Sequence, residues 1–244
     1  MTARAVVAQA RVELLLTLRR GESLLVTLAI PLGILVFFSQ VDAVNTDLAD
    51  PVDFLVPGVL ALAVMSSAMV SLGIATGFER RYGVLKRLGA TPLSRAGLLA
   101  AKTANVLVLE VLQTIAIVLV GVALGWSPAA GGLPAAVGLI LLGTVAFAGI
   151  GLLLAGTLRA EANLAVANGL FLLLLFLGGM AYPLDKLPDA LEAIASVLPA
   201  AALSESLRGV LEQGASAEAG DVLVLLAWAV VAPLAAARWF RWDE

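Results

Sequence analysis

The sequence predicts an all-α membrane protein that crosses the bilayer with six transmembrane helices. Of its 244 residues, 61% are hydrophobic and only 14% are charged, and the mean hydropathy is +1.03. A soluble domain of this size cannot bury so much apolar surface. Several long stretches carry no charge, and each can be compared with the roughly 20 apolar residues that a helix needs to cross a hydrocarbon core.

The uncharged runs define the spans of a single domain covering residues 1–244. Residues 103–158 contain one ionisable side chain, Glu110, and are too long for one crossing. A stretch rich in glycine and proline at 125–134, with Trp126 at its start, marks the break between two helices. The predicted spans are residues 23–41, 54–78, 103–125, 134–158, 162–182 and 219–238.

The distribution of basic residues predicts the orientation. Short loops rich in lysine and arginine remain on the cytoplasmic side of a membrane. If the N-terminus is inside, only Lys186 and Arg208 of the fifteen basic residues lie outside. Both termini are therefore predicted to be cytoplasmic.

Two further segments predict helices that do not span. Residues 2–20 carry a modest apolar stripe and predict an amphipathic helix at the inner interface. Residues 183–209 are divided into short pieces by Pro183, Pro188 and Pro199. Within them Leu187, Leu191, Ile194 and Leu198 recur at helical spacing, so a short amphipathic helix is predicted on the outer side.

The loop at 79–96, between spans 2 and 3, is unusually basic. The stretch 78–95 holds five of the fifteen basic residues. Its composition predicts a short helix along the membrane surface, whose apolar contacts come from Tyr82, Val84, Leu85 and Leu88. Its basic side chains are expected to face water or lipid phosphate, and these are Arg80, Arg81, Lys86 and Arg87. Physical chemistry alone favours an ordinary cytoplasmic loop.

Several classes of chemistry are excluded. The chain has no cysteine and no histidine, so it has no disulfides, no thiolate or imidazole metal ligands and no histidine catalysis. A P-loop requires glycine before its Lys-Thr pair, whereas Ala101 precedes Lys102 and Thr103. The sequence therefore predicts no catalytic residue, no bound metal or cofactor, and no nucleic-acid partner.

The basic loop resembles the first cytoplasmic loop of ABC-2 type transporter permeases, especially those of bacterial drug and lipid exporters. In that family this loop carries a coupling helix that sits in a cleft of a separate ATP-hydrolysing subunit. An alanine-lysine pair at Ala101 and Lys102 extends the match. The resemblance implies an ATPase-coupling role for Glu79, Arg80, Arg81, Gly83, Leu85, Lys86, Arg87, Leu88, Thr91 and Pro92.

The outer segment resembles the re-entrant or extracellular helices of the same permeases. The matching positions are Pro183, Pro188, Pro199, Glu205 and Arg208. The resemblance implies an exporter subunit in a bacterial plasma membrane that moves amphiphilic or lipid-like cargo. It also implies a second copy or a related permease chain, and ABC ATPase subunits that bind ATP and Mg.

Glu110, the ionisable residue within a span, has two interpretations. With Gln113 it could line the translocation path and meet a cationic cargo, because charge within a membrane is costly and usually functional. It could instead bond to Gln113, Thr114 or a neighbouring helix for packing. Two other functions also stay open, namely an ion-gradient-driven transporter or channel that uses Glu110, and a membrane scaffold without cargo.

Small residues form two pairs on span 2, and the members of each pair are four positions apart. Ser67, Ser71, Gly73 and Gly77 allow helices to approach closely. They could form a seam between two permeases or pack helices within one chain.

Overall fold

The structure is a computed structural model that describes residues 21–40, 51–89, 95–180, 182–212, 214 and 216–241. All regular elements among these residues are helical. The all-α class predicted from the sequence is therefore confirmed for the described residues. The predicted interfacial helix at 2–20 lies outside them, as do Thr91 and Pro92.

Ten α-helices and three shorter helical turns make up the described chain. The helices are α1 (Gly21–Gln40), α2 (Pro51–Met65), α3 (Leu72–Arg81), α4 (Val84–Gly89), α5 (Arg95–Ala123), α6 (Leu133–Thr157), α7 (Ala160–Leu177), α8 (Asp189–Ala195), α9 (Pro199–Glu212) and α10 (Ala219–Trp239). A π-helical turn, Ser66–Ser71, joins α2 to α3, and 3₁₀ turns lie at Ala130–Gly132 and Leu184–Lys186.

Five of the described helical stretches are long and apolar enough to cross a membrane, or six if the bent pair α8 and α9 counts as one span. The five are Pro51–Arg81, Ala101–Ala123, Ala130–Thr157, Ala160–Leu177 and Ala219–Trp239. Helix α1 coincides with the first predicted span and contains a shorter apolar stretch, Leu28–Gln40. The protein is thus a multi-pass membrane protein.

The stretch Pro51–Arg81 forms the centre of the bundle. Its apolar window is 83% buried, compared with 17% for α10. Helix α2 packs on α1, α5 and α9, while α3 packs on α6 and α7. Large apolar side chains on the outer helices stay exposed, among them Leu119, Phe176 and Leu234. These side chains are positioned to contact lipid.

Close backbone contact joins the central helix to α6. A Cβ atom on Gly151 would lie 2.5 Å from the Met69 carbonyl oxygen, and one on Gly73 would lie 2.9 Å from the Gly151 oxygen. Both positions therefore require glycine. Gly77 likewise lies against Asn163 of α7. Of the two interpretations of these small residues, the structure bears out packing within one chain for Gly73 and Gly77.

Contacts between helix ends define one end of the bundle. At one end, Arg80 contacts the Leu158 carbonyl, Lys102 contacts Glu79, and the Arg241 amide donates to the Gly156 carbonyl. The C-termini of α3, α6 and α10 therefore meet the N-terminal part of α5. We call this the basic end, because most basic side chains of the spans are found there.

Helix α7 is shorter than predicted at the opposite end. The fifth span was predicted to reach residue 182, but the helix ends at Leu177. Gly178 and Gly179 follow it, and Gly179 has φ of +64°, a left-handed conformation that favours glycine and ends helices. Residues beyond Leu177 begin the connection to α8.

Helices α8 and α9 meet at an angle of 85°. Ala200, near the start of α9, lies against Gly178, and the carbonyl of Leu211, near its end, accepts a bond of 2.8 Å from the Ala129 amide. Gly178 follows α7 and Ala129 precedes α6, so both neighbours lie in the half of the bundle away from the basic end. Both ends of α9 therefore lie in this half, and the helix does not cross the bundle.

Candidate functional site

A left-handed glycine separates α3 from the short helix α4. Gly83 has φ of +70°, which an L side chain rarely adopts. Its amide donates to the Arg80 carbonyl at 3.0 Å, and its own carbonyl accepts from the Arg87 amide at 3.3 Å. Gly83 thus ends one helix and begins the next, which gives a physical reason for glycine at this position.

Among its described side chains, helix α4 has a buried leucine and an exposed basic surface. Leu85 is completely buried, whereas Lys86 and Arg87 are exposed. Tyr82, expected to supply an apolar contact, is 67% exposed. Leu88 lies within α4, and its side chain is outside the described part of the chain. The helix is therefore fixed to the bundle through Leu85 and presents two cations to a partner or to solvent.

Arg80 does not face water, and that expectation is wrong. It belongs to α3 and is 4% exposed. Helical spacing places it on the same buried face as Thr76 and Gly77. Its Nη2 atom donates to the carbonyl of Leu158, directly after α6. A cation at that position satisfies an unpaired helix carbonyl and interacts favourably with the helix dipole.

Two ion pairs also connect the last turn of α3 to neighbouring helices. Lys102 Nζ lies 2.6 Å from Glu79 Oε2, and Lys102 is 2% exposed. Arg81 pairs with Glu161 of α7, but both side chains are exposed, so this pair adds little stability. We call Glu79, Arg80, Arg81, Lys102, Leu158 and Glu161 the basic-end junction. It connects α3 to α5, α6 and α7.

A second polar group, the mid-helix cluster, lies within the spans and consists of Ser67, Glu110, Gln113 and Thr144. Glu110 and Gln113 are each 2% exposed. Ser67 Oγ, in the π-helical turn, donates to Gln113 Oε1 at 2.7 Å. Thr144 Oγ1 of α6 contacts Glu110 Oε2. The cluster therefore joins α5 to the central helix and to α6.

The Thr144 hydroxyl has one hydrogen and two neighbouring acceptors. Its oxygen lies 2.8 Å from the Ile140 carbonyl, a backbone bond common for threonine in helices, and also contacts Glu110. A proton on the Glu110 carboxyl satisfies both contacts, since the acid then donates to Thr144. A neutral acid also avoids the cost of an unpaired charge within a membrane. The geometry therefore favours packing as the role of Glu110.

Arg208 organises a third polar group at the opposite end of the bundle. It is 9% exposed, and its guanidinium lies 3.9 Å from the centre of the Phe54 ring. Its Nη2 atom donates to the Gly179 carbonyl at 2.9 Å. It also forms ion pairs with Glu205 and Glu212. These contacts hold α9 against α2 and the end of α7.

The three prolines of the outer segment each precede or begin a helical piece. Pro183 precedes the turn Leu184–Lys186, Pro188 precedes α8, and Pro199 is the first residue of α9. Proline is well suited to such positions, because its missing amide has no helical partner there. In the predicted amphipathic stripe, Leu191 and Ile194 are 39% and 50% exposed, so α8 turns apolar side chains outwards.

Comparison with known proteins identifies the family. The family model of the ABC-2 type transporter matches residues 4–211. The chain belongs to the ABC-2 type transporter family. Permeases of this family are membrane subunits of ABC transporters. The resemblance inferred from the basic loop is therefore confirmed.

Two curated relatives are similar to this permease. It is 27% identical over 232 residues to a putative transport permease, YvfS, of Bacillus subtilis (strain 168), covering 90% of each chain. It is also 27% identical over 165 residues to a probable multidrug ABC transporter permease, YbhS, of Escherichia coli (strain K12). The second match covers 66% of this chain and 43% of YbhS.

The permease brings together some of the residues singled out from the sequence, but with partners that were not expected. Glu79 meets Lys102, and Glu205 meets Arg208. The contributions of Thr144, Asn163 and the Leu158 carbonyl were missed. Thr144 is visible in the sequence as an isolated polar residue in an apolar run, which is a usable signal, whereas Asn163 lies close to Arg159 and Glu161 and does not stand out. No sequence pattern marks the Leu158 carbonyl as an acceptor.

The mid-helix cluster leads to a prediction for Glu110. We expect Glu110→Gln to keep transport and stability near wild type, because an amide can still donate to Thr144. Glu110→Leu removes the bond and should cost about 0.6 kcal/mol, the average measured for polar contacts between membrane helices, and no more than the maximum of about 1.7 kcal/mol. Thermal unfolding in detergent and transport of matched cationic and neutral cargoes measure both effects. A loss of cationic cargo transport alone in Glu110→Gln, absent from the control Glu192→Gln at an exposed glutamate of α8, would contradict a packing role.

Proposed function

We propose that this permease is the membrane-spanning subunit of an exporter that moves an amphiphilic or lipid-like cargo out of the cytoplasm or the inner leaflet. Separate ABC ATPase subunits bind ATP and Mg and hydrolyse ATP. Helix α4 acts as the coupling helix that docks on the ATPase. The observation that carries the proposal is the exposure of Lys86 and Arg87 on a helix anchored by Leu85.

The connection of α4 to the spans supports a coupling role. Only Tyr82 and Gly83 separate α4 from α3. The last turn of α3 is bonded through the basic-end junction to α5, α6 and α7. A displacement of α4 by a partner is therefore passed directly to four membrane helices. This arrangement suits the transmission of ATP-driven motion to the permease.

The orientation and assembly follow from the same proposal. The basic end faces the cytoplasm of a bacterium, in accordance with the positive-inside rule. Both termini are then cytoplasmic. One chain forms half of the transport pathway, and a second copy or a related permease forms the other half. The relative YbhS is named a probable multidrug ABC transporter permease, which supports an amphiphilic cargo.

The proposal is tested by reversing the charge of α4. We expect the double variant Lys86→Glu, Arg87→Glu to retain less than a tenth of the ATPase that co-purifies with the tagged wild-type permease. Each substitution replaces an attraction at the interface by a repulsion and so weakens docking. A loss of about 1.4 kcal/mol of binding free energy is enough to lower the affinity ten-fold. The measurement is the amount and activity of the ATPase recovered from host membranes in mild detergent.

Arg159→Glu provides a matched control. Arg159 is exposed at the same end of the bundle and precedes α7, where a carboxylate is well tolerated. This variant should recover the ATPase at the wild-type level. An oligomer without ATPase, from wild-type protein purified in detergent and again in lipid nanodiscs, would contradict the proposal. Transport driven by an ion gradient in that preparation would then favour a secondary transporter. No transport under the same gradient would favour a scaffold.

A further inference from the structure

A lateral groove separates parts of α5, α6 and α10. Its volume is about 440 Å³, within the range of about 300–1,000 Å³ that is typical of small-molecule sites. The lining is almost wholly apolar and includes Ala104 and Leu107 of α5, Leu152 of α6 and Leu234 of α10. The groove can therefore hold a hydrocarbon chain, and its lining offers little to a polar ligand.

The groove arises where α6 and α10 touch. A Cβ atom on Gly149 would lie 2.5 Å from the Pro233 nitrogen, so the two backbones are in direct contact. Both residues line the groove. Small side chains beside this contact, Ala104, Ala236 and Ala237, do not fill the space next to it. The groove is thus built into the packing of these helices.

The position of the groove along the membrane is set by its lining. Thr103 directly follows Lys102 of the basic-end junction, Leu152 lies in the last two turns of α6, and Ala237 lies in the last turn of α10. The groove therefore lies in the half of the bundle next to the basic end. It differs from the mid-helix cluster, because none of the four residues of that cluster lines the groove.

Exposed cations lie just beyond the groove. Arg238 is one helical turn after Leu234, Arg241 is four residues after Ala237, and both are exposed. Trp239, between them, is 58% exposed. Basic side chains at this depth attract anionic lipid head groups, and tryptophan favours the same interfacial region. The charges thus complement an anionic head group whose acyl chain lies in the groove.

We propose that the groove binds one acyl chain of an anionic phospholipid from the leaflet at the basic end, with its phosphate held by Arg238 and Arg241. This lipid is a bound component of the permease at a site separate from the mid-helix cluster. The proposal goes beyond the proposed function and does not depend on the identity of the cargo or on the ATPase.

Native mass spectrometry of the full chain with chain-matched phosphatidylglycerol and phosphatidylcholine tests this proposal. We expect wild type to retain one phosphatidylglycerol in preference to phosphatidylcholine. Each of Arg238→Gln and Arg241→Gln should weaken that binding about five-fold, the contribution typical of one basic residue near an anionic membrane surface. Lys186→Gln, at the opposite end, removes one charge as a control and should leave the affinity unchanged.

A space-filling variant tests the acyl chain independently of the charges. Ala104→Phe should occupy the groove and reduce phosphatidylglycerol retention at least ten-fold, whereas Ala165→Phe, at an exposed alanine near the start of α7, should not. Size-exclusion chromatography confirms that both variants are folded. Equal retention of the two lipids by wild type, or no difference between the two phenylalanine variants, would overturn the proposal. Conversion of a dimer to a monomer by Ala104→Phe alone would instead assign the groove to a second copy.

The test of the lipid site and the test of ATPase docking can fail independently of each other. Recovery of the ATPase depends on Lys86 and Arg87, which lie on α4, whereas the groove involves α5, α6 and α10. Loss of lipid with normal ATPase recovery would therefore leave the exporter proposal intact, and the reverse result would leave the lipid site intact.

Discussion

Replacement of Arg80 by methionine is expected to reduce transport at least ten-fold while the ATPase subunit still co-purifies with the permease. Arg80 is buried and donates to the Leu158 carbonyl, so it connects the helix that carries α4 to the end of α6. A hydrogen bond to a charged group contributes about 1.5–3 kcal/mol, and its loss leaves the junction less rigid. The docking side chains Lys86 and Arg87 are unchanged.

The Arg80 experiment compares two measurements on the same preparation. Transport into proteoliposomes reports on coupling, and the recovered ATPase reports on docking. Arg159→Met is the matched control, because Arg159 directly follows Leu158 and is exposed. It should keep both quantities near wild type. Normal transport in Arg80→Met would show that the junction does not transmit motion, whereas loss of the ATPase would make Arg80 part of the docking surface.

Replacement of Arg208 by methionine is expected to lower the free energy of unfolding by about 3–5 kcal/mol, the usual cost of removing one partner from a buried ion pair. The guanidinium contacts the Phe54 ring, the Gly179 carbonyl and two glutamates, and methionine replaces only its apolar stem. Thermal unfolding in detergent measures the change. Lys186→Met is the control and should differ little from wild type.

The loss of unfolding free energy caused by Arg208→Met should depend on pH. Burial raises the pKa of Glu212 to about 7, with Arg208 lowering it and Asp53 and Glu205 raising it further. A carboxyl whose pKa is raised in the folded state stabilises the fold at low pH, and this contribution is lost as pH rises through the folded pKa. Without Arg208, repulsion among the carboxylates should make the variant least stable above pH 7. An equal loss of stability at pH 5 and pH 8 would show that the charges of these carboxylates contribute little to the effect of Arg208→Met.

The all-α membrane fold and the approximate positions of the spans could be predicted from the sequence. The reason is physical, since a bilayer requires each span to satisfy its backbone internally and to present about 20 apolar residues. The breaks at Pro183, Pro188 and Pro199 are also local, because they depend on backbone conformation. The turn at Gly83 was missed, since Tyr82 and Leu85 on either side of it were predicted to share one helix. The end of α7 at Leu177 was missed, since apolar composition continues beyond the left-handed Gly179.

Only the tertiary structure decided which polar residues meet. Arg80 and the Leu158 carbonyl are 78 residues apart in the chain, and Glu110 and Thr144 are 34 apart. A basic residue near a helix end has the same local sequence whether it faces water or another helix, so the burial of Arg80 could not be predicted. The groove beside Gly149 and Pro233 likewise depends on how three helices pack. Local sequence determines where this chain enters and leaves the membrane, whereas contacts between distant segments determine which charges are buried and which are available to a partner.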